Sequence, residues 1–485
     1  MYTHLKIGII QNAALTADLP NNLRQIVQGY RECLDHGANL IIASAYSLCG
    51  ANPQALSNRQ SFLTQTQAAL ESLSQELGDT PLILAAYAPL FEEYDYDLDE
   101  PQLIGPAVGV LTPYLLEQGE ITQLEEMEAI DICDTTICVN INDTFTEPDD
   151  NEVELIIQLS ETPWHAGAVS AEDEHFAWVA QENNAVVVCT HHVGAADDNI
   201  HAGGSAVYNQ DGSAMARLPF FESANRVISL KSKTRAKAAP AEEELLCLAL
   251  QRGIRDTVRN NGYSGVSLNL DAPNADLLAA LSIEALGRSN VVGMSSSQEA
   301  NHIANALKIT SISRPLNELI AQATQYLGED SDELLPRLNA LLQYTAAEKR
   351  GLMHLSSLTR SEIMTGSFTL YGESCGLFAP LGNLYEMDIH LLRQLLSEKY
   401  ADLFGTLKEP DDYETDRIIH EIADRNIGAT ALLQEHTFPL NENKVRMVQR
   451  KIIASALKRT QLPMILRVDR PEERISLPVA HRLND

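Results

Sequence analysis

The 485 residues are 45% hydrophobic and 21% charged, and 67 acidic side chains against 35 basic ones give a net charge of −32. A surface of that sign excludes a protein that grips nucleic acid or anionic lipid through its field, and leaves small molecules and protein partners. No run approaches the roughly 20 apolar residues that span a bilayer, and the seven cysteines are odd in number and scattered, without CxxC zinc spacing, so reduced thiols in the cytoplasm are the expectation.

The chain enters a strand-like run at 5–11 with no basic, apolar, small-residue leader before it. Short apolar runs at 39–43, 81–86, 135–141, 153–159 and 185–189 then alternate with helix-length polar stretches, which predicts buried strands in an α/β unit. Charge divides the chain: up to Leu230 there are 6 basic and 34 acidic residues, and beyond it 29 and 33. The break falls at KSKTRAKAAPAEEE, a polar Ala/Pro-rich stretch without apolar periodicity. The expected organisation is a domain over 1–230, a linker over 231–244 and a domain over 245–485. The second domain opens with a helix whose Cys247, Leu250, Ile254 and Val258 share a face. Glu242 to Glu244 lie at its positive end, and Asn261-Gly262 stops it. A strand over 266–270 and a helix from about 274 to 286 follow as a βα unit of the nucleotide-binding kind.

The segments LKIGIIQNAALTADLPNNLRQI, LSETPWHAG, CTHHVGAADDNIHAGGS and AVYNQDGSAMARLPFFE in the first half, and RSEIMTGSFTLYGESCGLFAPLGNLYEMD and SALKRTQLP in the second, occur in the order and spacing of one family. Along nearly its whole length the sequence resembles the glutamine-dependent NAD synthetases. The resemblance implies an N-terminal nitrilase-like (carbon-nitrogen hydrolase) αββα sandwich and a C-terminal adenine-nucleotide α-hydrolase-like, Rossmann-like domain. In that family a Glu base, an oxyanion-stabilising Lys and a Cys nucleophile release ammonia from glutamine. The second domain activates deamido-NAD with ATP and Mg²⁺. Family assembly further implies a homo-oligomer.

The residues depart from that pattern. The base's position, after the strand ending near Ala43, holds Ala45. The nucleophile's position, after the strand over 136–140, holds Ile141, followed by Asn142 and Asp143. Cys138 is three residues away, and on a strand of period two it is expected on the opposite face. No lysine occurs between Lys6 and Lys231, and a guanidinium is no simple substitute for a compact ammonium. All three glutaminase roles are therefore expected to be empty.

The family's phosphate loop, Ser-Gly-Gly-x-Asp-Ser, corresponds to Leu270, Asp271, Ala272, Pro273, Asn274 and Ala275. Asp271 would stand against a phosphate, and Asn274 replaces the metal-binding carboxylate. The ligand-free reading makes Asp271 an N-cap with Pro273 in the first helical turn. A Ser-rich loop is shortened to Met294-Ser295-Ser296-Ser297-Gln298. Nucleotide-binding candidates by resemblance are Arg337, Glu362, Thr369, Glu373 and Lys458, with Arg459 beside the last and Glu362 as the metal candidate. Glu386 reverses the charge of a family lysine. Asp95, Asp97 and Asp99 read as a solvated acidic loop rather than a calcium site, and His191, His192 and His201 are not read as a zinc site.

The resulting expectation is a homologue degenerate at both sites, acting as a binding or regulatory partner in NAD biosynthesis. Deamido-NAD or another dinucleotide, or an active synthetase, would be its partner. The alternative is an ammonia-dependent NAD synthase rebuilt around Glu362, Glu373 and Asp271 or Asp276.

Overall fold

The computed structural model describes residues 4–90, 94–95, 102–103, 108–125, 128–141, 153–232, 234–297, 301–328, 331–407, 413–435 and 440–469. Asn142, Asp143, Asp97 and Asp99 lie outside them. Contacts divide the chain into two compact units, Met1–Pro240 and Ala241–Asp485. The helix Glu242–Asn260 begins inside the stretch read as a linker, because Glu242 to Glu244 favour the positive end of a helix whose Leu245, Leu246 and Leu250 are buried.

The first unit contains two six-stranded sheets. One runs in the order Ala224–Ser229, Lys6–Gln11, Leu40–Ala43, Leu82–Leu90, Val108–Glu117, Glu120–Gln123. The other runs Ala214–Arg217, Ala206–Tyr208, Val186–His191, Leu155–Ser160, Thr135–Asn140, Ile130–Ile132. Alternation along each strand builds the layers. Ile7, Ile9, Leu40 and Ile42 from the first sheet meet Ile137, Val139, Ile157 and Val188 from the second in one core. The other face of the first sheet, with Ile10, Ile41 and Leu84, is covered by the helices Leu19–Asp35 and Gln60–Glu76 through Ile26, Tyr30, Phe62 and Leu70. The other face of the second, with Cys138, Ile156 and Val187, is covered by Ala168–Glu182 through Phe176 and Val179. The result is the expected αββα sandwich. Each such side chain contributes about 1.5–3 kcal/mol by leaving water. Gly8 permits the closest approach, since a Cβ there would lie 2.8 Å from the Cβ of Cys33 on the first helix.

The second unit has a wholly parallel sheet ordered Thr310–Ser313, Val291–Ser295, Gly265–Asn269, Leu352–Leu355, Phe378–Ala379, Met464–Ile465. In chain order this is 3-2-1-4-5-6, the doubly wound arrangement that opens a crevice where the strand order reverses. That point lies between Gly265–Asn269 and Leu352–Leu355. Among the described residues no helix is long and apolar enough to cross a membrane.

Candidate functional site

In the first unit Ala45 is wholly buried just after Leu40–Ala43, and Ile141 is 2% exposed just after Thr135–Asn140. Both belong to the apolar cluster between the sheets, together with Tyr46. The Tyr46 ring meets His192 edge-on at 6.0 Å and His201 at 5.6 Å, and the two imidazoles meet at 5.3 Å. All three rings are buried, and burial pushes His201 down to about 4, so its ring is neutral near pH 7. Gln11 ties the neighbouring loops, donating to the carbonyls of Pro219 and Glu222 while Ser205 donates to its Oε1. Solid packing thus stands beside the positions corresponding to the base and the nucleophile.

Cys138 lies on the helix-facing side of the second sheet, as its register requires, and burial pushes its thiol up to about 12. Among the described residues up to Leu230 the cations are engaged or exposed. Arg217 pairs with Asp173, Arg226 donates to the Arg217 carbonyl, Arg31 lies near Glu76, and Lys6 and Arg59 are exposed.

Sequence reasoning missed one cluster. Cys189 Sγ lies 3.6 Å from His191 Nε2, and Glu172 Oε2 lies 3.3 Å from the same nitrogen. A thiol, an imidazole and a carboxylate therefore meet in this unit. They do so on the helix face of Val186–His191, not on the core side where Ala45 and Ile141 lie. Cys189 is fully buried, and burial raises its pKa. Burial also opposes charging of His191, but Cys189 and Glu172 outweigh it and lift the ring well above its usual value. A fully enclosed sulfur is not the accessible thiolate that amide cleavage needs. The signal was available only as alternation, since residues 189 and 191 share a strand face.

In the second unit a cavity of about 160 Å³ sits at the reversal of strand order, lined among others by Asn269, Asp271, Pro273, His354, Ser356 and Glu373. Among the described residues no lysine or arginine lines it. His354, bonded to Ser267 Oγ at 2.9 Å, is pushed down to about 4 by burial and is neutral.

The N-cap reading of Asp271 fails. The helix starts at Ala275, Asn274 is its N-cap at φ 60° without a side-chain cap bond, and Pro273 precedes the helix. The Asp271 carboxylate instead accepts from Ser296 N at 2.6 Å, Ser296 Oγ at 3.0 Å and Ser297 Oγ at 2.6 Å, and Ser295 Oγ lies 3.0 Å from it while facing the Ser297 carbonyl at 2.5 Å. These contacts outweigh one helical turn, and against the opposing effect of burial they hold the carboxyl below its usual range. Leu270 and Ala275 are core residues, and Ala272 lines the cavity. Asn274 Oδ1 accepts from Arg393, which also pairs with Asp276 at 2.7 Å.

The remaining candidates are likewise engaged within the chain. Glu362 closes a capping box, its Oε2 accepting from Thr359 N at 2.9 Å and lying 3.0 Å from Thr359 Oγ1. Glu386 Oε1 is 3.0 Å from the same hydroxyl. Burial raises the pKa of both carboxyls, and each lifts the other or is lifted by further acids nearby. Thr369 N donates to Glu373 Oε2 at 2.6 Å, and Arg337 Nε donates to the Leu370 carbonyl. Lys458 Nζ donates to the Phe368 carbonyl at 2.9 Å and lies over that residue's ring. Arg459 donates to Ile452 and Ser455. Among the described residues no group of three or more His, Cys, Asp or Glu side chains is arranged to hold a metal ion. Asn274 and Ala275 occupy the last two positions of the segment aligned with the family's phosphate loop.

The two units define an α/β protein that joins a nitrilase-like sandwich to a Rossmann-like NAD synthase fold. The family model described as NAD synthase matches residues 246–399. The chain is 24% identical over 457 residues to the glutamine-dependent NAD(+) synthetase of Synechocystis, covering 81% of each chain. It is 23% identical over 458 residues to that of Thermotoga maritima, covering 80% of each. The structure of the glutamine-dependent NAD+ synthetase from Acinetobacter baumannii in complex with ADP superposes with TM-score 0.73 over 97% of both chains at 18% identity. That of Cytophaga hutchinsonii superposes with TM-score 0.78 over 98% of both at 13% identity. Residues 246–399 thus match the NAD synthase family, and over about four fifths of its length the chain is similar to glutamine-dependent NAD(+) synthetases.

Proposed function

We propose that this chain is a catalytically degenerate homologue of the glutamine-dependent NAD synthetases, releasing no ammonia from glutamine and impaired in ATP-dependent amidation of deamido-NAD. It acts by binding, as a partner or regulator of an active synthetase or as a receptor for deamido-NAD or a related dinucleotide. The observation that carries this reading is the burial of Ala45 and Ile141 in the apolar core between the sheets. A site without nucleophile or base loses on the order of 10⁶ in rate. Support from the second unit is that Arg337, Glu362, Thr369, Glu373 and Lys458 all make intrachain bonds. The test is an assay of ammonia release from glutamine, run beside calorimetric titrations with deamido-NAD and with ATP–Mg²⁺. Binding without turnover is expected, and steady ammonia release would overturn the reading.

A second reading has one observation in its favour. Glu362 and Glu386 converge on the Thr359 hydroxyl, each at 3.0 Å, which concentrates carboxylates near the cavity residue Glu373. An ammonia-dependent NAD synthase rebuilt around them would form product when deamido-NAD, ATP–Mg²⁺ and ammonia are supplied together.

A further inference from the structure

We propose that residues 295–297 form an oxyanion cradle whose resident anion is the chain's own Asp271 carboxylate, so that the crevice is held in an anion-filled arrangement with no ligand bound. The inference deepens the degenerate-site reading and rests on it. A carboxylate offers about four lone-pair positions, and here three donors from Ser296 and Ser297 converge on one group, with Ser295 Oγ 3.0 Å away sharing its one proton with the Ser297 carbonyl at 2.5 Å. That crowding leaves no ready position on Asp271 for a metal ion.

The donors are two hydroxyls and a backbone amide, the neutral dipoles that gather around a bound anion. They come from the loop after Val291–Ser295, while Asp271 follows the adjacent strand Gly265–Asn269. The contact therefore staples two strand-end loops at the place where open parallel sheets hold ligands. Backbone bonds reinforce the staple: Leu270 N donates to the Met294 carbonyl at 2.8 Å, and Ser297 N donates to Ser295 Oγ at 3.0 Å. Asp271 and Ser296 also line the 160 Å³ cavity. Removing the carboxylate joins the cradle to that space, and an incoming oxyanion then meets the donors without the opposing charge.

The test uses the full chain and inorganic phosphate as the probe, followed by titration calorimetry at neutral pH. Asp271→Ala is expected to bind phosphate roughly tenfold or more tightly than the wild type, because a like charge a few ångströms away is removed. The triple variant Asp271→Ala/Ser296→Ala/Ser297→Ala is expected to lose that gain. Formate is expected to raise the melting temperature of Asp271→Ala and to leave the wild type unchanged. Asp271→Ser is read in the same way and serves if the alanine variant does not fold. Equal phosphate binding by wild type and a folded Asp271 variant, or an undiminished gain in the triple variant, overturns the proposal. Ammonia-dependent product formation by the wild type would instead sink the degenerate-site reading, and that assay is independent of the phosphate comparison.

Discussion

Cys138 and Ile141 lie three residues apart and face opposite sides of one sheet. The thiol packs beneath the helix Ala168–Glu182, and the isoleucine enters the layer between the sheets. With its pKa raised to about 12, Cys138 is protonated at neutral pH. Iodoacetamide is therefore expected to leave Cys138 unmodified in the native protein and to label it in urea, read by peptide mass spectrometry. Cys138→Ala should cost about 1 kcal/mol of stability and change no ammonia release. Rapid native labelling would show that the thiol is reachable.

Glu362 is bound up in its own helix start, where its carboxylate and the Thr359 side chain satisfy each other's backbone amides. Glu362→Ala should lower stability by about 1 kcal/mol, as loss of a cap does, seen as a lower urea midpoint at unchanged slope. A variant whose midpoint does not move would return Glu362 to the list of ligand residues.

Arg360 and Asp424 form an ion pair in which the carboxylate side chain is 2% exposed and the guanidinium 15%. Tyr385 donates to the same carboxylate and its ring lies under the guanidinium carbon, 6.0 Å from it. Removing one partner strands the other, so Asp424→Ala is expected to cost about 3–5 kcal/mol. A denaturation curve displaced by less than 1 kcal/mol, roughly the value of an exposed pair, would contradict this.

Acid should weaken the fold through two histidines. His201 and His354 titrate near 4 when folded because burial disfavours the charged ring, and near 6.5 when unfolded. Between those values the unfolded chain binds more protons, so stability is full above about pH 6.5 and falls as pH drops toward 4. Glu362, Glu386 and Asp388, raised by burial, act in the opposite direction: their contribution is greatest at low pH and declines as pH rises through the carboxylate range. His354→Gln should flatten the acid limb in urea titrations at pH 7, 6 and 5. An unchanged slope would mean that the ring is already charged in the native protein.

The strands were legible as short continuous apolar runs, buried on both faces, while their arrangement as a sandwich came from the resemblance. The places of Ala45 and Ile141 were legible too, since both follow recognisable strands, and the absence of lysine between Lys6 and Lys231 is a matter of counting. Contacts across long separations were not. Asp271 and Ser296 are 25 residues apart, and nothing local distinguishes a serine that caps its own turn from one that binds a carboxylate on the neighbouring strand. The Cys189–His191–Glu172 cluster required knowing which helix covers which face. The linker boundary erred at Glu242 because three glutamates read equally as solvated linker and as a helix's first turn.

The mutual seating of Tyr46, His192 and His201 has a consequence for protein engineering. A glutamate installed at position 45 would enter a dry layer and take up a proton rather than serve as a base, since an isolated carboxylate in apolar surroundings neutralises itself. Building a carboxylate base there must therefore begin by excavating room and admitting water, with smaller residues at 46 and 201, before any reactive group is written in.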